Sequence, residues 1–414
     1  MYDVIIVGGG VAGLRIGIEL RRRQQSCCIL EHYPHPGGRI HTYHTSLPGR
    51  GPVAWEAGAG RIAVTHHKVR ALMKRYGLDW VPIPSTTIYL ERHSDAIVNR
   101  FSSLHDVFIE PLRSLPVHVL QTHTLAQISE QVFGKERTQS FYEQFPYFSE
   151  IHTLRADHGI YVFDYEMKSM EGFGTCKGGL SLIMKGMVEE YTSLGGIIEC
   201  NRTVVSVQKG MRVRCADDSC YDAHKCVLAL PSEAIKRIRG ASHLPILNKI
   251  VMNPLLRMYA VFPVHHGRSW FSDLPHVVTN DALRFIIPID DSRGIIMISY
   301  TDGEDARQWM KMSPRMLRVR VMQHIRALFP HRSIPDPLFF KTHTWKEGCS
   351  YWKPGHYDIF QESKASLQPL PKEMPGLFLC SESFAVLQCW IECAIEQADH
   401  LLALPSFCPP KSSS

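Results

Sequence analysis

The sequence predicts an α/β fold in which a Rossmann-like nucleotide-binding domain is interleaved with a second domain of mixed sheet and helices. Three observations carry this. The chain opens on an apolar strand, a glycine turn, a helix and a second strand. It nears its end on another apolar strand followed by an amphipathic helix. Its 414 residues, 44% hydrophobic and 21% charged, supply ample core material but exceed what one hydrophobic core usually organises, so two domains are expected.

Composition narrows the class further. The apolar runs "YDVIIVGGGVAGL" and "FIIPI" are far shorter than a membrane-spanning helix. "DVIIV" starts a strand at once, without a basic leader or cleavage site, so a cytoplasmic protein is expected. The twelve cysteines are scattered and read as reduced thiols. The net charge of +6 is spread out, with "RRR" at 21 to 23 the densest block, which argues against nucleic-acid or membrane partners.

In "YDVIIVGGGVAGLRIGIELRRRQQSCCILE" the helix is expected from about Val11 to Arg23. Gly8, Gly10 and Gly13 fill a G-x-G-x-x-G spacing around Val11 and Ala12. The first glycine permits a tight turn, the second admits a pyrophosphate to the helix N-terminus, and the third allows close helix–strand packing. Glu31 ends the second strand 18 residues beyond Gly13, where it can accept hydrogen bonds from a ribose. Downstream, Gly37, Gly38 and Arg39 form a second glycine pair with a basic residue. Two readings fit it: a solvated turn, or backbone bent close to a ligand with the arginine reaching phosphate oxygens.

The run from "DVIIVGGGVAGL" through "GGRI" to "EAGAGRI" resembles the flavin-dependent amine oxidase superfamily, which includes monoamine, polyamine and L-amino-acid oxidases. The resemblance implies FAD as cofactor and a glutathione-reductase-type topology. It lays Gly38 and Arg39, then Gly58, Ala59, Gly60 and Arg61, along the cofactor. In "PGLFLCSESFAVLQCWIECAIEQADHLL" it assigns Glu382 to the ribityl side, and Trp390, Ile391 and Ala394 to a helix start facing the flavin. The eight-residue interval from Glu382 to Trp390 matches the family, whereas Cys380 and Cys389 replace residues that are usually glycine. "CKGGLSLIMKGMVEEY" resembles the family's second glycine-pair helix, and "IIECNRTVVSVQ" places Val204 at the adenine. The FAD domain is then expected from 1–62, 177–246 and 338–405, with a helical insertion at 63–176, a substrate domain at 247–337 and a flexible tail at 406–414.

The resemblance also implies chemistry: oxidation of the C–N bond of an amine or amino acid by hydride transfer to flavin N5, giving an imine and, with oxygen, hydrogen peroxide. Trp390 is expected as one aromatic wall, with Tyr351 or Trp352 opposite and Trp345 near the flavin ring. Cys349 lies roughly where monoamine oxidases bond covalently to FAD; a buried free thiol is the other reading. Arg257 stands where most relatives carry a lysine that assists the oxygen step, with Leu256 or Met258 as neighbours if the matching slips. This departure leaves a dehydrogenase, desaturase or isomerase open beside the oxidase, and a non-catalytic FAD-loaded module as a third reading. Arg61 corresponds to the arginine that binds substrate carboxylate in L-amino-acid oxidases, though the tyrosine sharing that carboxylate is replaced by Ile287; contact with FAD alone is the other role. Pairs such as His41 with His44 and His66 with His67 lack zinc-site spacing, so no metal is expected. No G-x-S-x-G nucleophile motif occurs. A small-molecule substrate and oxygen are the expected partners, and a homodimer is left open.

Overall fold

A computed structural model describes residues 1–47, 51–91, 97–98, 104–168, 172–371 and 373–408. One sheet is a parallel layer. Its strands run in the order Ile197–Glu199, Cys27–Leu30, Tyr2–Val7, Cys220–Leu228 and Leu377–Leu379. An antiparallel pair, Val204–Gln208 with Arg212–Cys215, is attached to the start of Cys220–Leu228. Parallel strands need crossovers, and the Val11–Arg22 helix supplies the first. It ends with Arg23 as its C-cap and with Arg21 and Arg22 in its last turn, where cations complement the dipole.

Alternate residues of these strands serve two cores, because both faces are covered. Val4, Ile6, Cys27 and Ile29 pack under the helices Val11–Arg22, Ser181–Ser193 and Ile391–Ala403. Ile5, Val7, Cys28 and Leu30 face the opposite layer. This explains why the strands read as continuous apolar runs, each buried side chain contributing roughly 1.5–3 kcal/mol.

The second sheet orders Phe339–Trp352, Ile250–Val261, Ile295–Asp302, Phe285–Asp290, His276–Thr279, Thr87–Leu90 and Ile97–Val98. Phe339–Trp352, within the range expected for the FAD domain, pairs with Ile250–Val261 from Val261↔Phe339 to Ile250↔Trp352. From the helix-rich insertion, Thr87–Leu90 joins this sheet in parallel with His276–Thr279. Its helical part keeps its own core around Leu125, Phe141 and Phe163. The tail expected at 406–414 is anchored at its start: Phe407 is buried, with its ring 5.0 Å from that of Phe378. Residues 409–414 lie outside the described residues.

Candidate active site

The N-terminal turn gives each motif glycine a separate physical reason. Gly8 has φ +109°, and a Cβ there would lie 2.5 Å from the Ala229 carbonyl oxygen. A Cβ on Gly13 would lie 2.0 Å from the Gly8 carbonyl oxygen, so helix and strand touch backbone to backbone. Gly10 differs, because a Cβ there would meet nothing within 4 Å. It is the N-cap of the Val11–Arg22 helix, in extended conformation, with no side chain capping the first turn and no acid in it. Val11, Ala12 and Gly13 therefore offer uncapped amides beside open space, an arrangement that suits an anion. Gly38, at φ +59°, brings the second glycine loop against this turn, its Cβ position being 3.4 Å from Gly10 Cα.

Glu31 is buried at the strand end. It accepts the Gly9 N–H at 2.7 Å on one oxygen and the Tyr33 N–H at 2.8 Å on the other. A carboxylate has about four acceptor sites, so each oxygen keeps capacity for a hydroxyl. Its carbonyl accepts the Arg202 N–H at 2.8 Å, which brings the chain leading to Val204 beside it.

Arg39 links distant elements. Its Nη1 donates to the Gly348 carbonyl at 3.0 Å and its Nη2 pairs with Glu382 at 2.5 Å. Glu382 also accepts the Ser350 hydroxyl at 3.1 Å and the Cys389 N–H at 2.8 Å. The segment "EAGAGRI" lies between these groups. Gly58 presses on the Arg39 carbonyl oxygen, 2.0 Å from its Cβ position, and Ala59 N–H donates to the same oxygen at 2.9 Å. Gly60 packs on Arg257, whose Nη1 would be 2.7 Å from a Cβ. Gly58 is thus required by backbone contact alone, whatever ligand lies beyond.

Strand alternation settles the register around Arg257. Leu256 and Met258 point into the helix-covered core, while Arg257 and Tyr259 point to Glu56. Arg257 Nη1 donates to the Glu56 carbonyl at 3.2 Å, and the guanidinium sits 5.1 Å over the Tyr300 ring. Burial opposes its charge, but Tyr259, Tyr300 and Glu56 raise its pKa overall. Its Nε is buried without a hydrogen-bond partner among the described residues. Trp345 donates its indole N–H to the Ala57 carbonyl at 2.6 Å.

Arg61, Phe173 and Trp390 form a second cluster. The Arg61 guanidinium lies 4.3 Å from the Phe173 ring centroid and 5.5 Å from that of Trp390, and the two rings are nearly parallel, 6.1 Å apart. Such contacts contribute about 0.5–2 kcal/mol each, more as water is excluded. His66 meets Trp390 edge-on at 4.9 Å. Its Nδ1 accepts the Ala63 N–H at 3.2 Å, and burial together with Arg61 pushes its pKa down to about 4. Burial and Arg61 likewise lower His276. Both imidazoles are therefore held toward the neutral form beside a permanent cation. Trp390 is the N-cap of the Ile391–Ala403 helix, which no side chain caps; Ile391 and Ala394 pack into the core, and Glu392 instead accepts the Lys68 and Val69 N–H groups.

Tyr351 and Trp352 are both buried in the core behind the parallel sheet, and Trp352 donates its indole N–H to the Ala385 carbonyl at 3.0 Å. Ile287 packs beside Tyr300 and Phe285. Sequence reasoning missed Phe173, His66 and His276. Phe173 reaches Arg61 only through the pairing Ile62↔Gly174 and Ala63↔Phe173, and the one local signal was its place between two glycines in "GFG".

The chain matches the flavin containing amine oxidoreductase family over residues 11–400. It is 20% identical over 409 residues to a flavin-containing amine oxidase of Danio rerio, covering 86% of this chain and 77% of that one. It is 25% identical over 266 residues to a lycopene-forming phytoene desaturase of Pseudescherichia vulneris, where the match spans 54% of each protein. Wild-type putrescine oxidase bound to putrescine superposes with a TM-score of 0.77 at 15% identity, covering 97% of this chain and 98% of that one, a likeness of fold. The expected α/β class and cofactor are borne out. The open volume at Gly10, the uncapped helix start and the orphaned Arg257 Nε suit a dinucleotide with a polar ring system. The chain belongs to the flavin-containing amine oxidoreductase family, and its cofactor is FAD.

Proposed function

We propose that this protein is an FAD-dependent oxidase that oxidises the C–N bond of an L-amino acid to an imine and, with oxygen, yields hydrogen peroxide. FAD, when bound, supplies the two-electron acceptor for the Cα–H. The Gly8–Gly13 turn and Gly38 would hold its pyrophosphate, Glu31 its ribose, Val204 its adenine, and Arg39 and Glu382 its ribityl side.

The observation that carries the substrate class is Arg61 set against Phe173 and Trp390. A guanidinium beside two aromatic rings matches a carboxylate with its planar fork, while the rings limit water and strengthen that pairing. Burial and the Arg61 charge hold His66 and His276 toward the neutral form, so neither adds a second positive charge beside the guanidinium. Arg61 and Arg257 together disfavour an ammonium and so favour the neutral amine, the form whose lone pair is needed. A free diamine would bring a second positive charge toward Arg61 and Arg257.

A second reading, a flavin dehydrogenase or desaturase with little oxidase activity, is favoured by Arg257. Its guanidinium is fixed by the Glu56 carbonyl and cannot release a proton, so it orients a water or anion but does not relay protons. A peroxide-coupled screen of amino acids and amines under air tests the proposal. Peroxide with amino acids supports it. Anaerobic flavin bleaching without peroxide supports the second reading, and peroxide with diamines alone overturns the substrate class.

A further inference from the structure

The Pro314–Leu328 helix covers the outer face of the second sheet. Leu317, Val321, Ile325 and Leu328 share one core with Leu256 and Met258 of the Ile250–Val261 strand, while Arg257, between those two, points the other way. What the helix presents to solvent therefore lies away from the residues expected to hold FAD. Met316 and Val319 are 50% and 45% exposed. Helical periodicity sets them side by side, with Arg315 and Arg326 along one edge and Arg320 along the other. The helix carries four arginines and no acid, and Arg315 stands in its first turn, where the dipole disfavours a cation. Neighbouring cations are matched: Arg318 donates to the Pro337 carbonyl at 2.9 Å, Arg326 pairs with Asp336 at 2.8 Å, and Lys311 lies 3.7 Å from Glu304. Arg315 and Arg320 have no such partner among the described residues. The Arg318 bond also brings the exposed Leu338 beside the helix, and the exposed Met312 precedes it.

We propose that this face docks the protein on the surface of a bilayer that contains anionic phospholipid. Arg315 and Arg320 reach the headgroup phosphates, and Met316 and Val319 between them enter the headgroup layer. Apolar and unpaired cationic side chains share one helix surface here, and a layer of anionic headgroups over hydrocarbon meets both at once. An acidic protein surface would match the arginines but leave Met316 and Val319 against charge. No helix among the described residues is long and apolar enough to cross a membrane, so the contact is with the surface. The even spread of charge along the sequence concealed this face. Its densest basic block, "RRR" at 21 to 23, is largely neutralised, since Arg22 pairs with Glu19 and Glu190 and Arg23 with Glu19.

The test sediments FAD-loaded protein with vesicles of phosphatidylcholine alone and of phosphatidylcholine with roughly one-third phosphatidylserine. The expected result is co-sedimentation with the anionic vesicles only, weakening as salt is raised. Arg315→Gln combined with Arg320→Gln should lower the affinity about tenfold or more at an unchanged melting temperature, and Met316→Gln combined with Val319→Gln should lower it several-fold. Arg212→Gln combined with Arg214→Gln removes the same charge from a strand of the other sheet and should leave binding unchanged. Absence of binding to anionic vesicles, undiminished binding in either helix variant, or an equal loss in the Arg212 and Arg214 variant overturns the proposal. Binding to polyglutamate but not to vesicles also overturns it and assigns the face to an acidic protein.

Discussion

Gly10 and Gly13 are three residues apart in one motif, yet alanine should act on them in opposite ways. At Gly13 the new Cβ falls 2.0 Å from the Gly8 carbonyl oxygen and 3.2 Å from Ile6 Cγ2. Ordinary contact begins near 3.4 Å, so the helix must move away from the sheet by about an ångström. Overpacking of this kind costs roughly 1–3 kcal/mol, and the better helix propensity of alanine returns at most about 1 kcal/mol. Gly13→Ala should therefore lower the melting temperature of flavin-free protein by several degrees. At Gly10 the Cβ meets nothing within 4 Å, and the backbone, with φ −78° and ψ −177°, is open to alanine. Gly10→Ala should leave flavin-free stability within about 0.5 kcal/mol of wild type. Its methyl occupies the space proposed for the pyrophosphate, so FAD affinity should fall by about 10- to 100-fold, the equivalent of about 1.4–2.8 kcal/mol. Melting of deflavinated protein measures the first effect, and fluorescence titration with FAD the second. Wild-type FAD affinity in Gly10→Ala would refute the placement of the cofactor, and an unchanged melting temperature in Gly13→Ala would refute the packing argument.

Three further outcomes follow from the geometry. Arg61→Ala should raise KM for an L-amino acid by about tenfold or more through loss of one charge-assisted pair, and steady-state kinetics in which amines and amino acids suffer equally would return Arg61 to a cofactor role. Arg257→Lys should increase the rate at which oxygen reoxidises reduced enzyme in stopped-flow experiments, and a slower reaction would count against the proton-relay argument. His158 is buried, its Nε2 is 2.7 Å from the Val386 carbonyl, and burial pushes its pKa down to about 4. An unfolded histidine titrates near 6.5, so the unfolded chain binds the extra proton first; the stability is complete above pH 6.5 and is lost as pH falls toward 4, by up to about 3 kcal/mol. Urea midpoints at pH 7 and pH 4.5 should therefore diverge less in His158→Gln than in wild type, and equal divergence would remove His158 from the account.

Features carried by backbone geometry were legible in the sequence. A strand, a glycine turn and a helix leave few ways to pack, so the close approaches at Gly8 and Gly13 and the open space at Gly10 follow from the spacing. Side chains brought together by pairing of distant segments were not legible. Phe173 meets Arg61 only because Ile62–Ala63 pairs with Phe173–Cys176, and no local pattern announces that pairing. The facing of Tyr351 and Trp352 was not legible either. Ser350, Tyr351 and Trp352 are all buried, so period-two reasoning has no exposed face from which to separate pocket from core.

The segment "WEAGAGRI" ties these levels together, because it is the seam between the two sheets. Trp55 donates its indole N–H to His343 at 2.9 Å, the Glu56 carbonyl accepts from Arg257 and from the Tyr259 hydroxyl, and the Ala57 carbonyl accepts from Trp345. All four partners come from the long antiparallel pair Ile250–Val261 and Phe339–Trp352. On its other side the segment lies on the Arg39 backbone. The segment's carbonyls accept from side chains of that pair, and its backbone presses on Arg39, where Gly58 leaves no room for a Cβ. The same segment meets Arg257, which is held by the Glu56 carbonyl, the Tyr259 hydroxyl and the Tyr300 ring while its Nε has no hydrogen-bond partner among the described residues. A group with that deficit is poised to bind an additional acceptor, and Arg61, leaving the seam two residues before the Ala63↔Phe173 pair, is carried by the same backbone to the aromatic cluster. The positions of both arginines are thus consequences of one close-packed strand end.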